Sequence, residues 1–237
     1  MVSSDKAVNP ESVMGLTKRV AEMIVGSVGA EIGESGTKFA SVRFGNVLGS
    51  NGSVVPVFQQ QIAAGGPVTV THPDVRRFFM TTREAVQLIL QASTMGNRSE
   101  IFVLDMGEPI RIVDLAHNMI RLSGLEPDED IEIRYIGLRP GEKLFEEVIA
   151  AAENTLPTHH EKIKIFQSTW PERQFMESWL RELRELGARR DQFAVVAHLA
   201  KLVPEYRPSE FWTAAPVPKT SPPASSEPER LFVVRSS

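Results

Sequence analysis

The chain has 237 residues, 42% apolar and 24% charged, a balance that fits one ordinary domain with some extra length and excludes wholesale disorder. A net charge of -4 with both signs interspersed leaves no basic stripe for a nucleic-acid backbone, so no such partner is expected. The lack of cysteine excludes a disulfide framework and thiolate metal sites. The longest apolar runs fall short of the roughly 20 residues that span a bilayer, and no signal segment opens the chain, so a cytoplasmic protein without membrane contact is expected.

Residues 1–3 read as the end of a strand, and Ser4, Asp5 and Lys6 crowd together as polar residues do at the exit of a parallel strand. Asn9 followed by Pro10 predicts a helix start, with Val13, Thr17, Val20, Ala21, Ile24 and Val28 at helical spacing behind it. A buried strand is predicted over 38–44, then a glycine-rich loop from Gly45 to Ser53, where Ser53 would cap a helix over 54–64 that stops at Gly65 and Gly66. A short strand over 68–71 follows. Thr81, Thr82, Arg83 and Glu84 form a capping box ahead of the next helix, and 100–104 reads as a strand. Residues 109–122 form an amphipathic helix, 131–135 alternate as an edge strand does, and Arg139 to Leu144 lead into a short helix. Two helices are expected between 171 and 203, the second capped by Asp191, with Trp170, Phe175 and Trp179 as core packing; 208–237, rich in Pro and Ser, reads as a disordered tail. Strands alternating with helices predict an α/β layer.

Met14 and Lys18 stand one helical turn apart and so emerge on one face, near Ser4, Asp5 and Lys6. Composition alone favours a solvated helix start there. It likewise reads Arg76 and Arg139 as loop charges and Glu142 as a helix-start residue. His117, His159, His160 and His198 have no ligand-like company, and no metal site is expected.

The run from Ser3 to Pro10, continued from Val13 to Arg19, resembles the active-site segment of bacterial polysaccharide-biosynthesis dehydratases, the UDP-N-acetylglucosamine 4,6-dehydratase group of extended short-chain dehydrogenases/reductases. The likeness resumes in Arg43 to Ser50, Gly66 to Pro73, Arg76 to Met80 and Arg139 to Leu144, and covers roughly residues 1–165 in order. Most relatives have tyrosine where Met14 stands; larger members of this group are similar to the present chain in having methionine. The resemblance implies an incomplete NAD(P)-binding Rossmann-type fold, its carboxyl-terminal half with a substrate-binding subdomain over 1–166, then a helical extension over 167–207 and the tail.

The resemblance also implies an NAD-dependent oxidation at the sugar C4 that acidifies the C5 proton, so that water leaves from C6 and a 4-keto-6-deoxy sugar results. Asp5 is then the acid at the C6 hydroxyl and Lys6 the base at C5, with Ser4 and Met14 beside them. Lys18 would hold the nicotinamide ribose of NAD, rather than NADP, with Phe44 and Gly45 on the cofactor side. A thioether accepts no proton, so Met14 cannot do the tyrosine's work. Asn46, Ser53, Val54 and His72 would line the UDP-sugar, Arg76 and Arg139 would face its diphosphate as guanidinium forks do, and Glu142 would bond the nucleotide ribose.

One departure matters: no Gly-x-x-Gly-x-x-Gly turn follows a first strand, so the pyrophosphate cradle of NAD is missing. The expected function is therefore a dehydratase fragment, inactive alone, working with an amino-terminal half that could be separately encoded and as a homo-oligomer when complete. A non-catalytic sugar-nucleotide-binding module and a 4-epimerase are the alternatives. The paired Asp5 and Lys6 favour dehydration, since epimerisation protonates no C6 hydroxyl.

Overall fold

The computed structural model describes residues 1–32, 36–50, 52–96, 99–150 and 154–213. Its main sheet has four strands in the order β1 (Ala40–Arg43), β6 (Glu100–Leu104), β10 (Ile163–Phe166), β9 (Thr155–Pro157). β1 and β6 are parallel, and β10 and β9 close the edge as an antiparallel hairpin. Residues 1–3 extend the parallel part: Val2 bridges Val42, and Ser3 N–H donates to Val42 O at 2.8 Å. Every second residue of β6 serves a different core. Ile101 and Val103 pack with Phe166 and Trp170, whereas Phe102 and Leu104 pack with Val42, Phe44 and Ile163, as expected of a strand covered on both faces.

One covering layer is α1 (Val13–Ile32), whose Leu16 and Val20 meet Met176 and Trp179 of α5 (Arg173–Ala188) and Val196 and Leu199 of α6 (Gln192–Leu202). Gly26 lets the Trp170 ring lie on α1; a Cβ there would come within 2.2 Å of it. On the other face lies α3 (Thr82–Met95), started by the predicted capping box, in which Thr81 Oγ1 accepts from Glu84 N–H while the Glu84 carboxylate accepts from Thr81 N–H. The chain excursions between strands build a second core. In it Phe58 of α2 (Val54–Ala63), Val68 and Val70 of β3 (Val68–Val70), and Ile112, Ala116 and Ile120 of α4 (Ile112–Leu122) are buried together. Short strands tie this subdomain together. β2 (Asn46–Val47) pairs with β5 (Phe79–Met80), β3 with β8 (Ile133–Tyr135), and β4 (Arg76–Arg77) with β7 (Ile110–Arg111).

Several expectations are corrected. Asn9 does not cap α1: it sits at φ 38°, and the helix starts at Val13, where Ser12 Oγ accepts from Gly15 N–H at 3.1 Å. Asp5–Ala7 instead take a short 3-10 turn started by Ser4. No helix follows Arg139; Gly141 takes φ +74° and lies so close to Glu11 O that a Cβ would sit 2.7 Å away, so 139–147 is laid flat along the chain before α1. The strand expected over 131–135 is shorter and belongs to the subdomain, paired in parallel with β3. Of the aromatic group, Trp179 is in the terminal-helix core, Trp170 lies on the sheet face and Phe175 is exposed. Of the tail, Glu210–Thr213 form a helical turn, α7, with Trp212 edge-on to Phe193; 214–237 lie outside the described residues.

Candidate active site

The end of the 1–3 strand carries the first site residues. Asp5 N–H bonds Phe44 O at 3.1 Å, which plants its side chain in the interior with none of its surface exposed. Its Oδ1 accepts from Ser4 Oγ at 2.7 Å and from Lys6 Nζ at 2.9 Å; its Oδ2 is buried without a partner. Lys6 reaches further, donating to Asn46 Oδ1 at 3.3 Å, while Asn46 is itself held by donating to Phe78 O.

The opposing wall comes from β4 and the 139–147 segment. Arg76 N–H donates to Leu144 O, so the segment runs beside β4 as a strand would, with Phe145 turned out and Glu146 turned in. The same alternation turns Arg77 inward and Arg76 outward. Arg77 Nη2 donates to Glu142 Oε1 at 3.1 Å, and Arg77 Nε lies 3.8 Å from Glu146 Oε1, which is also 3.7 Å from Lys6 Nζ. Glu142 further accepts from Thr71 Oγ1 and from Arg139 N–H. Lys143 Nζ bonds Val8 O at 2.8 Å and Asn9 Nδ2 donates to Glu147, so the segment is strapped to the turn that bears Asp5. Between the walls is a cavity of about 300 Å³ lined by Lys6, Met14, Arg77, Arg139, Glu142 and Glu146 among others. Burial pushes the Glu146 carboxyl above its ordinary range. Lys6 opposes this, Asp5 adds to it, and Arg77 and Lys143 oppose it to a smaller extent.

Of the residues anticipated, Ser4, Asp5, Lys6, Met14, Asn46, Arg139 and Glu142 are brought together here. Arg76 points to solvent, and His72 is engaged at the surface, where Nδ1 accepts from Asp74 N–H. Ser53 stands at the start of α2 but caps nothing, its Oγ buried without a partner, and Val54 packs on the subdomain core. Phe44 is core, its carbonyl taken by Asp5, and Gly45 N–H faces Met106 Sδ. Arg77 and Glu146 went unnoticed in the sequence. The signal for Arg77 was its phase: Val75, Arg77 and Phe79 alternate, and Val75 is core.

A family model described as polysaccharide biosynthesis protein matches residues 1–168. The chain belongs to that family. Relatives similar to it include the capsular polysaccharide biosynthesis protein CapD of Staphylococcus aureus, 56% identical over 163 residues (69% of this chain, 27% of CapD). Another is the probable polysaccharide biosynthesis protein EpsC of Bacillus subtilis, 50% identical over 201 residues (83% and 33%). The chain thus spans about a quarter to a third of the length of these curated relatives. Among solved structures, Pen from Bacillus thuringiensis is 37% identical with a TM-score of 0.63 over 73% of this chain and 52% of Pen. DesIV, a dTDP-glucose 4,6-dehydratase from Streptomyces venezuelae solved with NAD and TYD bound, is 16% identical with a TM-score of 0.52 (60% and 48%), a likeness of fold. The fold is that of the extended short-chain dehydrogenases/reductases, a Rossmann type.

For this family member, the fit to a nicotinamide nucleotide rests on Lys18. Among the described residues its Nζ makes one long bond, 3.4 Å to Val2 O, which leaves donors for a diol such as a ribose offers. No helix of the described residues is long and apolar enough to cross a membrane.

Proposed function

We propose that this chain is the substrate-side part of an NAD-dependent nucleotide-sugar 4,6-dehydratase that acts on UDP-N-acetylglucosamine in polysaccharide biosynthesis. The observation that carries the reading is buried Asp5 bonded to Lys6 at the wall of a cavity whose other wall bears Arg77 and Glu142. Loss of water across C5 and C6 needs an acid and a base within reach of adjacent carbons, and this pair supplies both. NAD, when bound beside Lys18, supplies the electron acceptor at C4 and its return at C6.

Each residue's work follows from its setting. Lys6, as the neutral amine, takes the C5 proton, and Asp5 protonates the departing C6 oxygen. Two guanidinium groups, Arg77 and Arg139, line the cavity, and such planar forks suit the oxygens of a diphosphate. Glu142 Oε2, bonded to a backbone N–H, has capacity left for a ribose hydroxyl. Met14, about half exposed, offers apolar contact at the cavity edge and no proton acceptor.

The test mixes the purified chain with UDP-N-acetylglucosamine, NAD and a separately made amino-terminal half from a relative, and follows the 4-keto product by NMR. Product that requires both halves supports the reading; a folded mixture that yields none sinks it. A second reading is a sugar-nucleotide-binding module without turnover, which the cavity lined by Arg77, Arg139 and Glu142 would serve by itself. Binding of UDP to the chain alone, by calorimetry, with no product in the mixture would favour that one.

A further inference from the structure

Glu146 is a carboxyl that the dehydratase reading leaves idle, and its surroundings are those of the acid–base pair. Its side chain is 5% exposed, and one oxygen faces both Lys6 and Arg77 while the other is buried without a partner. Asp5 also leaves one oxygen buried and unpartnered, so two carboxyls flank a single ammonium, each with an acceptor to spare. The charged groups that face Glu146 are Lys6 and Asp5 from the turn after the first strand, Arg77 from β4, and Lys143 from its own segment.

The resting ion pair of Asp5 and Lys6 has its proton on the wrong member for elimination, because the acid is ionised and the base is charged. Readiness comes when the Lys6 N–H bond breaks and the proton passes across the 2.9 Å contact to Asp5 Oδ1, leaving a neutral amine and a neutral acid with no net change of charge. A second ionised carboxylate beside Lys6 would hold the proton on the ammonium and oppose that transfer. We propose that Glu146 stands as a neutral carboxylic acid beside the Asp5–Lys6 pair and acts through Lys6, as the positioning residue that sets how readily the ammonium releases its proton. The inference rests on the dehydratase reading for its catalytic meaning. Burial, the largest influence on the Glu146 carboxyl, pushes in the same direction. A sugar hydroxyl entering the cavity then meets Lys6 and, on Glu146, a carboxylic acid able to donate.

The deciding experiment is a carbon-13 NMR titration of the carboxyl groups in this chain, with Glu146→Gln used to assign the signal. Glu146 is expected to titrate above the ordinary carboxylate range, and in Lys6→Met to titrate higher still, because a cation that favours its ionised form is gone. Titration alongside the exposed glutamates, or no movement in Lys6→Met, overturns the proposal, and the pH profile of the enzyme separates a positioning role from a purely structural one. In the reconstituted two-half enzyme, kcat is expected to fall on the alkaline side as Glu146 ionises, and that limb should vanish in Glu146→Gln. Superimposable profiles overturn the proposal. A mixture that makes no product counts against the dehydratase reading, and the titration still decides the state of Glu146.

Discussion

Two clusters of buried charge lie within a few residues of each other, and they differ in completeness rather than in depth. Around Glu22, fully buried on α1, the carboxylate accepts from Ser3 Oγ, from Arg43 Nε and Nη2, and from Arg19 Nη1, so both oxygens are doubly bonded, and Arg43 also lies 4.8 Å from the Phe166 ring centroid. Around Asp5, equally buried, two carboxyls each keep an unpartnered oxygen. A saturated network locks elements together, here α1 to β1 and to the first strand. An unsaturated one keeps bonding capacity for something that arrives later. Ser3 and Asp5 are two positions apart, so the same stretch of chain serves structure with one residue and chemistry with the other.

The sharpest way to break this contrast is to delete one carboxylate from each cluster. Glu22→Ala removes the carboxylate that accepts twice from buried Arg43 and is expected to cost about 3–5 kcal/mol in denaturant unfolding. Asp5→Asn is expected to stay within about 1 kcal/mol of the parent, since it removes a charge that was only half satisfied. Equal losses in the two variants would mean that both clusters are structural.

Next in size are two alanines of identical chemistry. A Cβ at Gly15 would lie 2.1 Å from Lys6 O, and one at Gly26 would meet the Trp170 ring. Each substitution should cost about 1–3 kcal/mol by overpacking. Only Gly15→Ala, which pushes the turn bearing Lys6, should also weaken binding of UDP measured by calorimetry.

A smaller effect depends on pH. Because Glu146 is raised in the folded state, its contribution to stability is present below the ordinary carboxylate pKa and is lost as pH climbs through the raised value. Glu146→Gln carries no such dependence, so the difference in Tm between variant and parent should move in the variant's favour as pH rises across that window. A flat difference would argue that the carboxyl is not perturbed. Least of all, Thr81→Ala removes a cap remote from both clusters and should cost about 1 kcal/mol, a baseline for an ordinary local contact.

What could be read without a structure was whatever the chain encodes locally. The Thr81 box, the Asp191 cap and the apolar run from Glu100 to Leu104 depend on neighbours within four residues, and all stand where expected. The Asp5–Lys6 pairing was likewise legible, through family resemblance. The rest depends on distant partners. The β9–β10 hairpin is held by β6, some sixty residues upstream, and nothing within the sequence of the hairpin announces that edge. Asn9 carried a good capping signal, but Ser12 won because the 3-10 turn at Asp5–Ala7 displaces the helix start. Glu146 looked like one acid among several in a helical stretch; its inward turn is imposed by pairing with β4. Arg76 and Arg77 are chemically indistinguishable in the sequence, and only strand phase separates them.

The strap from Lys143 to Val8 closes a loop of 135 residues, and Lys6 with Glu146 spans nearly the same interval. Contacts so far apart along the chain are entropically slow to form, so the cavity belongs to the last stage of folding. During refolding, helical circular dichroism should therefore recover before UDP binding does. The lag between them would time the docking of the 139–147 segment onto the turn that carries Asp5.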